Sequence, residues 1–293
     1  MIYRIQLNEN WRYRRGMYTP GVYRVPTDIR EDLAVEMIGA GFAVRIGDPA
    51  AGQGVETPAA SAQAWVSQVA ELDSMLPRIE PRDFGPRGVV VAGSGPSLTP
   101  EVAAACAGLP VIAVNDAYRL FPGAMALYAC DADWWRVHDG CPDFAGEKWS
   151  SHTVDRNGRD NDKIQNRVAE RYGLRLVEGR DGEGFSFEPN VIHYGSNSGF
   201  QAVNLALQFG ARRVVLVGFD MRLVDGARHF FGDHPAPLRN GGSYTNFIRA
   251  FRGAAATLPA NVEIVNATPG SALKCFPSMN LREALGNIHQ PTE

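Results

Sequence analysis

From Gly88 onward, short apolar runs alternate with segments of helical spacing. Val89–Ala92, Val111–Val114, Ala124–Ala129, Arg213–Val217 and Val262–Val265 read as strands, with helices between them. These runs are continuously apolar rather than alternating, which marks strands covered on both faces, as in a parallel sheet. The pattern predicts an α/β fold with a Rossmann-like, doubly wound, mostly parallel sheet. Two helix starts are well marked. Thr99 can cap a helix whose first residues are Pro100 and Glu101. The turn from Tyr194 to Gly199 opens the apolar segment Phe200–Phe209, where Phe200, Val203 and Leu207 share one face.

Ahead of this region, residues 1–48 read as a small β-rich accessory module. Alternating stretches at Tyr3–Leu7 and Gly21–Val25 precede a helix opened by the capping box Asp28-Ile29-Arg30-Glu31, and Phe42–Ile46 closes the module. Residues 49–60, rich in Ala, Gly and Pro, read as a linker, and 61–293 as the nucleotide-binding domain. That domain opens with an amphipathic helix over Ser61–Leu76, carrying Trp65, Val69, Leu72 and Leu76. Pro142–Asp162 is polar and poor in aliphatic residues, so a loop beside the site is expected there, and Gly179–Glu188 reads similarly.

Composition narrows the class without naming a partner. A net charge of −3 over 293 residues argues against a dedicated nucleic-acid binder. The four cysteines lack C-x-x-C spacing, so neither a structural zinc nor a disulfide framework is indicated. No run approaches the length of a membrane span and the N-terminus has no apolar signal core, so a reduced, cytoplasmic protein is expected.

Chemistry collects at the predicted carboxyl ends of the strands, where open parallel sheets bind their ligands. The first strand empties into Gly93-Ser94-Gly95-Pro96-Ser97, a turn with the build of a phosphate-binding loop. Its glycines allow close approach to an anion and its serines offer hydroxyls. It is neither the lysine-bearing loop of the common NTPases nor the full G-x-G-x-x-G fingerprint, whose third glycine would fall at Leu98. The later strands end in Asn115-Asp116, Asp131-Ala132-Asp133, Gly218-Phe219-Asp220 and Asn266–Ser271. Each alone is ordinary turn chemistry; five together mark a shared small-molecule site. Ser196, Asn197, Ser198 and Gly199, at the start of the apolar helix, offer amides and hydroxyls to an anion or a ribose.

His229 and His234 lie in a long segment after the fourth strand, and either can act as a general base near neutral pH; a plain surface loop is the competing reading. Asp220 is a further candidate for the chemistry. Asp131 and Asp133 can bridge one hard cation, Mg²⁺ or Mn²⁺, or serve as a helix cap and a ribose acceptor, so metal dependence is open. Arg4, Arg12, Arg14, Arg15 and Arg24 alternate with Trp11, Tyr13, Tyr18 and Tyr23, a composition compatible with nucleic acid, although solvated arginines around an aromatic core are the simpler reading.

The segments VVVAGSGPSL, VIAVNDAY, YACDADWW, YGSNSGFQAVNLALQFGARRVVLVGFDM and NATPGSALKCFP, in this order, resemble one superfamily. It contains bacterial sialyltransferases of glycosyltransferase family forty-two, motility-accessory-factor glycosyltransferases and archaeal-type 6-hydroxymethylpterin diphosphokinases, and similar chains are encoded by phages and prophages. The likeness runs from about Gly88 to Pro277. It implies a sheet of glycosyltransferase type and inverting transfer from a nucleotide-activated sugar, CMP-linked in the sialyltransferase branch, to an acceptor hydroxyl. In that branch the loop and the asparagine after the second strand hold the donor, which here are Gly93, Ser94, Gly95, Pro96, Ser97 and Asn115, joined by Ser198 and Gly199. Ser94 stands where sialyltransferases often carry asparagine. A histidine acts as base, matched by His229 or His234. The phage likeness implies a glycan or a modified DNA base as acceptor. The pterin branch implies instead Mg-ATP-dependent diphosphate transfer to a hydroxymethyl group, with Asp131, Asp133 or Asp220 on magnesium. A phage structural or assembly protein with an idle nucleotide site is the third reading.

Overall fold

In the computed structural model, residues 78–152, 167–235, 238 and 243–286 are described in full, and five N-terminal strands by their backbone alone. The chain divides into two compact units, one holding those five strands and the other beginning at Leu76. In the first, β1 (Tyr3–Leu7) pairs antiparallel with both β4 (Gly21–Val25) and β5 (Ala43–Ile46). Strands β2 (Trp11–Tyr13) and β3 (Gly16–Tyr18) form a hairpin. The predicted helix after Asp28, the linker 49–60 and the helix predicted over Ser61–Leu76 lie outside the described residues.

The second unit is built on eight parallel strands. They are β6 (Val89–Ala92), β7 (Val111–Val114), β8 (Ala126–Tyr128), β9 (Glu147–His152), β10 (Arg175–Arg180), β11 (Val191–His193), β12 (Arg213–Val217) and β13 (Glu263–Asn266). Their order across the sheet is β11-β10-β9-β8-β7-β6-β12-β13. The chain therefore winds outward from β6 to β11, then returns to lay β12 against the other side of β6. The β6/β12 seam, in register from Val89↔Val214 to Ala92↔Val217, is the topological switch point. A crevice opens at the carboxyl ends of strands at such a seam because the connections leave in opposite directions.

Both faces of the sheet are covered, which explains the uninterrupted apolar runs. Val89, Val91, Ile112, Val114 and Leu216 face one layer, where the helix Ser198–Gln208 packs with Phe251 and Phe185. Val90, Ala92, Ala113, Val215 and Val217 face the other, with Leu98, Trp134 and Trp135. Phe200 is the hinge of the first layer, its ring 4.5 Å from Phe185 and 5.2 Å from Phe251. Burying each such ring contributes about 1.5–3 kcal/mol.

Three strands run where the sequence does not announce them. Within the polar segment expected to be a loop, Glu147–His152 is β9, an interior strand of the sheet. Of the segment 179–188, the first two residues complete β10, and β11 follows it. Composition misleads here because polar side chains in these strands are satisfied locally. The Ser150 hydroxyl donates to the Ala129 carbonyl at 2.7 Å, and Trp149, 1% exposed, stacks edge-on against Phe209. Residues 153–162 of the first segment lie outside the described residues.

Candidate functional site

A cavity of about 300 Å³ opens at the switch point. Gly93, Ser94 and Gly95 after β6, Val114 and Asn115 at the end of β7, and Cys130 and Asp131 after β8 form one side. Ser196–Gly199 at the start of the helix Ser198–Gln208, Gly218–Met221 after β12, and Arg228, His229, His234, Tyr244 and Phe247 complete the lining. Four of the five polar strand ends thus converge. The fifth, Asn266–Ser271, does not line the cavity and braces the end of β12 instead. Thr268 Oγ1 accepts from the Phe219 amide at 2.9 Å, and the Ser271 hydroxyl donates to the Phe219 carbonyl at 2.5 Å.

In the Gly-Ser-Gly-Pro-Ser turn, which was expected to be an anion cradle, three of the four amide N–H groups are committed within the protein, and Gly93, Ser94 and Gly95 line the cavity. Gly93 N donates to Val217 O at 2.8 Å, Gly95 N to Gly218 O at 2.9 Å and Leu98 N to Gly95 O at 3.0 Å. Ser97 gives both its amide, at 3.3 Å, and its hydroxyl, at 2.8 Å, to Asp220 Oδ2. The Ser94 hydroxyl donates to Val114 O at 2.8 Å. These bonds lock β6, β7 and β12 together. The turn's glycines serve close packing: a Cβ at Gly95 would enter the Asp220 carboxylate and stand 2.6 Å from Gly218 O. Pro96 and Ser97 stay outside the cavity wall. The helix that follows, Pro100–Ala105, has one of its first amides capped by Thr99.

Asp220, expected to take part in chemistry, is 2% exposed and serves first as this anchor. Its second oxygen, Oδ1, is buried with no hydrogen-bond partner. Asn115 Oδ1 is also buried and unpartnered, and Asn115 holds φ +50, in the left-handed region. A strained backbone carrying an unsatisfied buried acceptor is a common mark of a ligand contact.

The same turn sends Asp116 the other way. Asp116 is 1% exposed and absent from the cavity wall, contrary to the expectation of a direct nucleotide contact. Its Oδ2 accepts from Trp134 Nε1 at 2.9 Å, and its Oδ1 pairs with Arg119 at 2.6 Å and lies 3.1 Å from His138 Nε2, which donates to it when the ring is charged. Burial pushes the carboxyl up, but the His138 and Trp134 hydrogen bonds and the neighbouring positive charges outweigh it, leaving Asp116 below its ordinary range.

Asp131 sits at the rim, where the surrounding protein and the Asp133 charge push its carboxyl upward against a contact from Cys130. Asp133 does not join it. Its Oδ1 accepts from Arg136 Nη1 at 2.7 Å along the helix Ala132–Val137, in an exposed pair. No cluster of three or more His, Cys, Asp or Glu side chains with metal-binding geometry occurs among the described residues.

The second serine turn opens the helix Ser198–Gln208. Gly195 and Ser196 both take positive φ, +50 and +69, and a Cβ at Gly195 would enter the Phe200 ring. Asn197 caps the eleven-residue helix by accepting from Phe200 N at 2.8 Å. The Ser198 hydroxyl donates to Cys130 Sγ at 3.0 Å. Burial foremost, with the Asp131 charge adding to it, pushes the Cys130 thiol up to about 12, which leaves it a protonated wall residue.

Both histidines reach the cavity. Their rings lie 4.7 Å apart, and His229 stacks on Phe231 at 5.0 Å with an interplanar angle of 2°. Burial, reinforced by the charge of His229, holds His234 below the ordinary histidine range, so its ring is neutral at neutral pH and able to accept a proton. Among the wall residues that the sequence does not point to are Arg228, Tyr244 and Phe247. Arg228 lies over the Tyr244 ring at 5.6 Å and is the one Arg or Lys among the residues of the wall. Nothing in their local sequence distinguishes them; the fold of the segment after β12, held back by Phe230 N donating to Ser94 O at 3.2 Å, brings them in.

Fold and cavity together define the second unit as an open, all-parallel α/β fold with a polar cavity at its switch point. No protein-family model matches the chain, and comparison with curated proteins found no match. Among solved structures the chain is similar to a MAf glycosyltransferase from Magnetospirillum magneticum AMB-1, with 18% identity and a TM-score of 0.46. The likeness covers 71% of this chain and 36% of that one, so the chain spans about a third of that structure's length. Among the described residues no helix is long and apolar enough to cross a membrane.

Proposed function

We propose that this protein transfers a sugar from a nucleotide-activated donor, CMP-linked by preference, to an acceptor hydroxyl, with inversion and with a cavity histidine as general base. The observation that carries the reading is the polarity of the cavity. Two buried acceptors without partners, Asn115 Oδ1 and Asp220 Oδ1, stand with a cation, Arg228, and two histidines in one enclosure. Unpartnered buried acceptors call for a ligand that brings hydrogen-bond donors, as the hydroxyls of ribose and sugar do. An arginine and the leading amides of an eleven-residue helix suit a phosphate, so the anion belongs to the Arg228 and Ser198 side rather than to the glycine turn. Tyr244 and Phe247 offer an apolar wall for a base.

In the reaction so read, the histidine takes the proton of the acceptor hydroxyl while its oxygen attacks the anomeric carbon, and the bond to phosphate breaks with its electron pair leaving on the phosphate. Arg228 offsets that charge. Donor binding is expected to proceed without a divalent cation. Calorimetry with CMP, UDP, GDP and ATP, each with and without Mg²⁺, tests the reading. Metal-independent CMP binding supports it, UDP or GDP binding keeps the transfer and changes the donor, and Mg²⁺-dependent ATP binding or no binding overturns it.

A further inference from the structure

The wall histidine and the carboxylate behind it are complementary in a way the cavity alone does not require. A carboxylate has about four acceptor positions, two on each oxygen. On Asp116, Oδ1 is taken by Arg119 at 2.6 Å and by His138 Nε2 at 3.1 Å, and Oδ2 receives Trp134 Nε1 at 2.9 Å. One position on Oδ2 is left. Facing it at 3.7 Å is Nδ1 of His234, which is itself buried and has no hydrogen-bond partner. The two open valences of this neighbourhood therefore face each other, within an ångström of closing.

We propose that Asp116 is the positioning residue of His234: its Oδ2 holds the Nδ1 proton, which leaves Nε2 as the nitrogen that takes the acceptor's proton. This rests on the transferase reading above and assigns the base between the two histidines. The contacts of Trp134, Arg119 and His138 on Asp116 keep the carboxylate from following the ring, so the ring is oriented by a fixed anion. When Nε2 accepts the proton, the imidazolium gains a full charge beside Asp116, and that contact shortens. The charged or titratable groups around His234 are Asp116, His229, His138 and Arg119; only the first favours the imidazolium. Asn115, immediately before Asp116, takes the left-handed turn that places one side chain in the cavity and the next behind its wall.

Long-range ¹H–¹⁵N spectra of the histidine rings in the full chain, assigned with His234→Gln, test the pairing without any turnover. The expected result is a neutral His234 protonated on Nδ1, and a titration midpoint that falls by about one unit in Asp116→Asn. A neutral ring protonated on Nε2 overturns the proposal, and so does an unchanged midpoint in a folded Asp116→Asn protein. Should that variant fail to fold, the tautomer of the unaltered protein decides. With a donor that turns over, Asp116→Asn is expected to lower kcat on the order of 100-fold, to leave the donor KM unchanged and to move the acid limb of the pH profile down with the midpoint. If no nucleotide sugar turns over while the tautomer is as expected, the transferase reading falls and the pairing stands.

Discussion

Asp220 Oδ2 accepts both the amide and the hydroxyl of Ser97, a residue 123 positions earlier, at 3.3 and 2.8 Å. A carboxylate of the protein itself thus satisfies the turn after β6, and a side chain at position 95 meets that carboxylate before it meets any ligand. Gly95→Ala is expected to destabilise the protein by about 1–3 kcal/mol through overpacking. Thermal melting checks this; a variant with unaltered Tm and weakened nucleotide binding would instead return the turn to the role of anion cradle.

Asn115 separates binding from stability. Replacing it with glycine removes the buried acceptor and suits the left-handed backbone. Asn115→Gly is expected to keep stability within about 1 kcal/mol while weakening nucleotide binding roughly 10-fold. Melting and calorimetry on the same preparation distinguish this from a plain structural role, which would lower Tm and spare affinity.

Arg228 is the cation that the cavity offers to a phosphate. Arg228→Gln keeps a hydrogen-bond donor and loses the charge, so CMP affinity is expected to fall about 10- to 100-fold. Cytidine, which lacks the phosphate, should bind the variant and the unaltered protein alike. Equal losses for both ligands would place Arg228 elsewhere than on the phosphate.

The buried neutral ring of His234 links stability to pH. Its folded-state pKa lies below the unfolded value of about 6.5, so the unfolded chain binds the extra proton first. The contribution is fully present above that unfolded value and is lost as pH falls through the folded one. Between pH 7 and 5 the unaltered protein should lose Tm more steeply than His234→Gln. Parallel curves would show that burial of this ring does not shape acid stability.

The parallel sheet was legible because its central strands, β6, β7 and β12, are apolar on both faces, and burial on both faces leaves no alternation to disguise them. Their polar ends marked the place of the cavity, since a sheet of this winding opens there whatever the ligand. Strands β9 and β10 were hidden because Ser150 and Glu178 find partners inside the fold, in the Ala129 carbonyl and Arg180, and so need no apolar side chain. Local sequence placed Asn115 and Asp116, Asp131 and Asp133, and the two histidines at the site. Only tertiary structure decided that Asn115 enters the cavity while Asp116 turns behind it, and that Arg228 and Tyr244 join the wall. Periodicity is set by which face of an element is buried and is written locally. The direction and partner of a polar side chain depend on what the chain brings opposite it, more than 100 positions away in the case of Ser97 and Asp220.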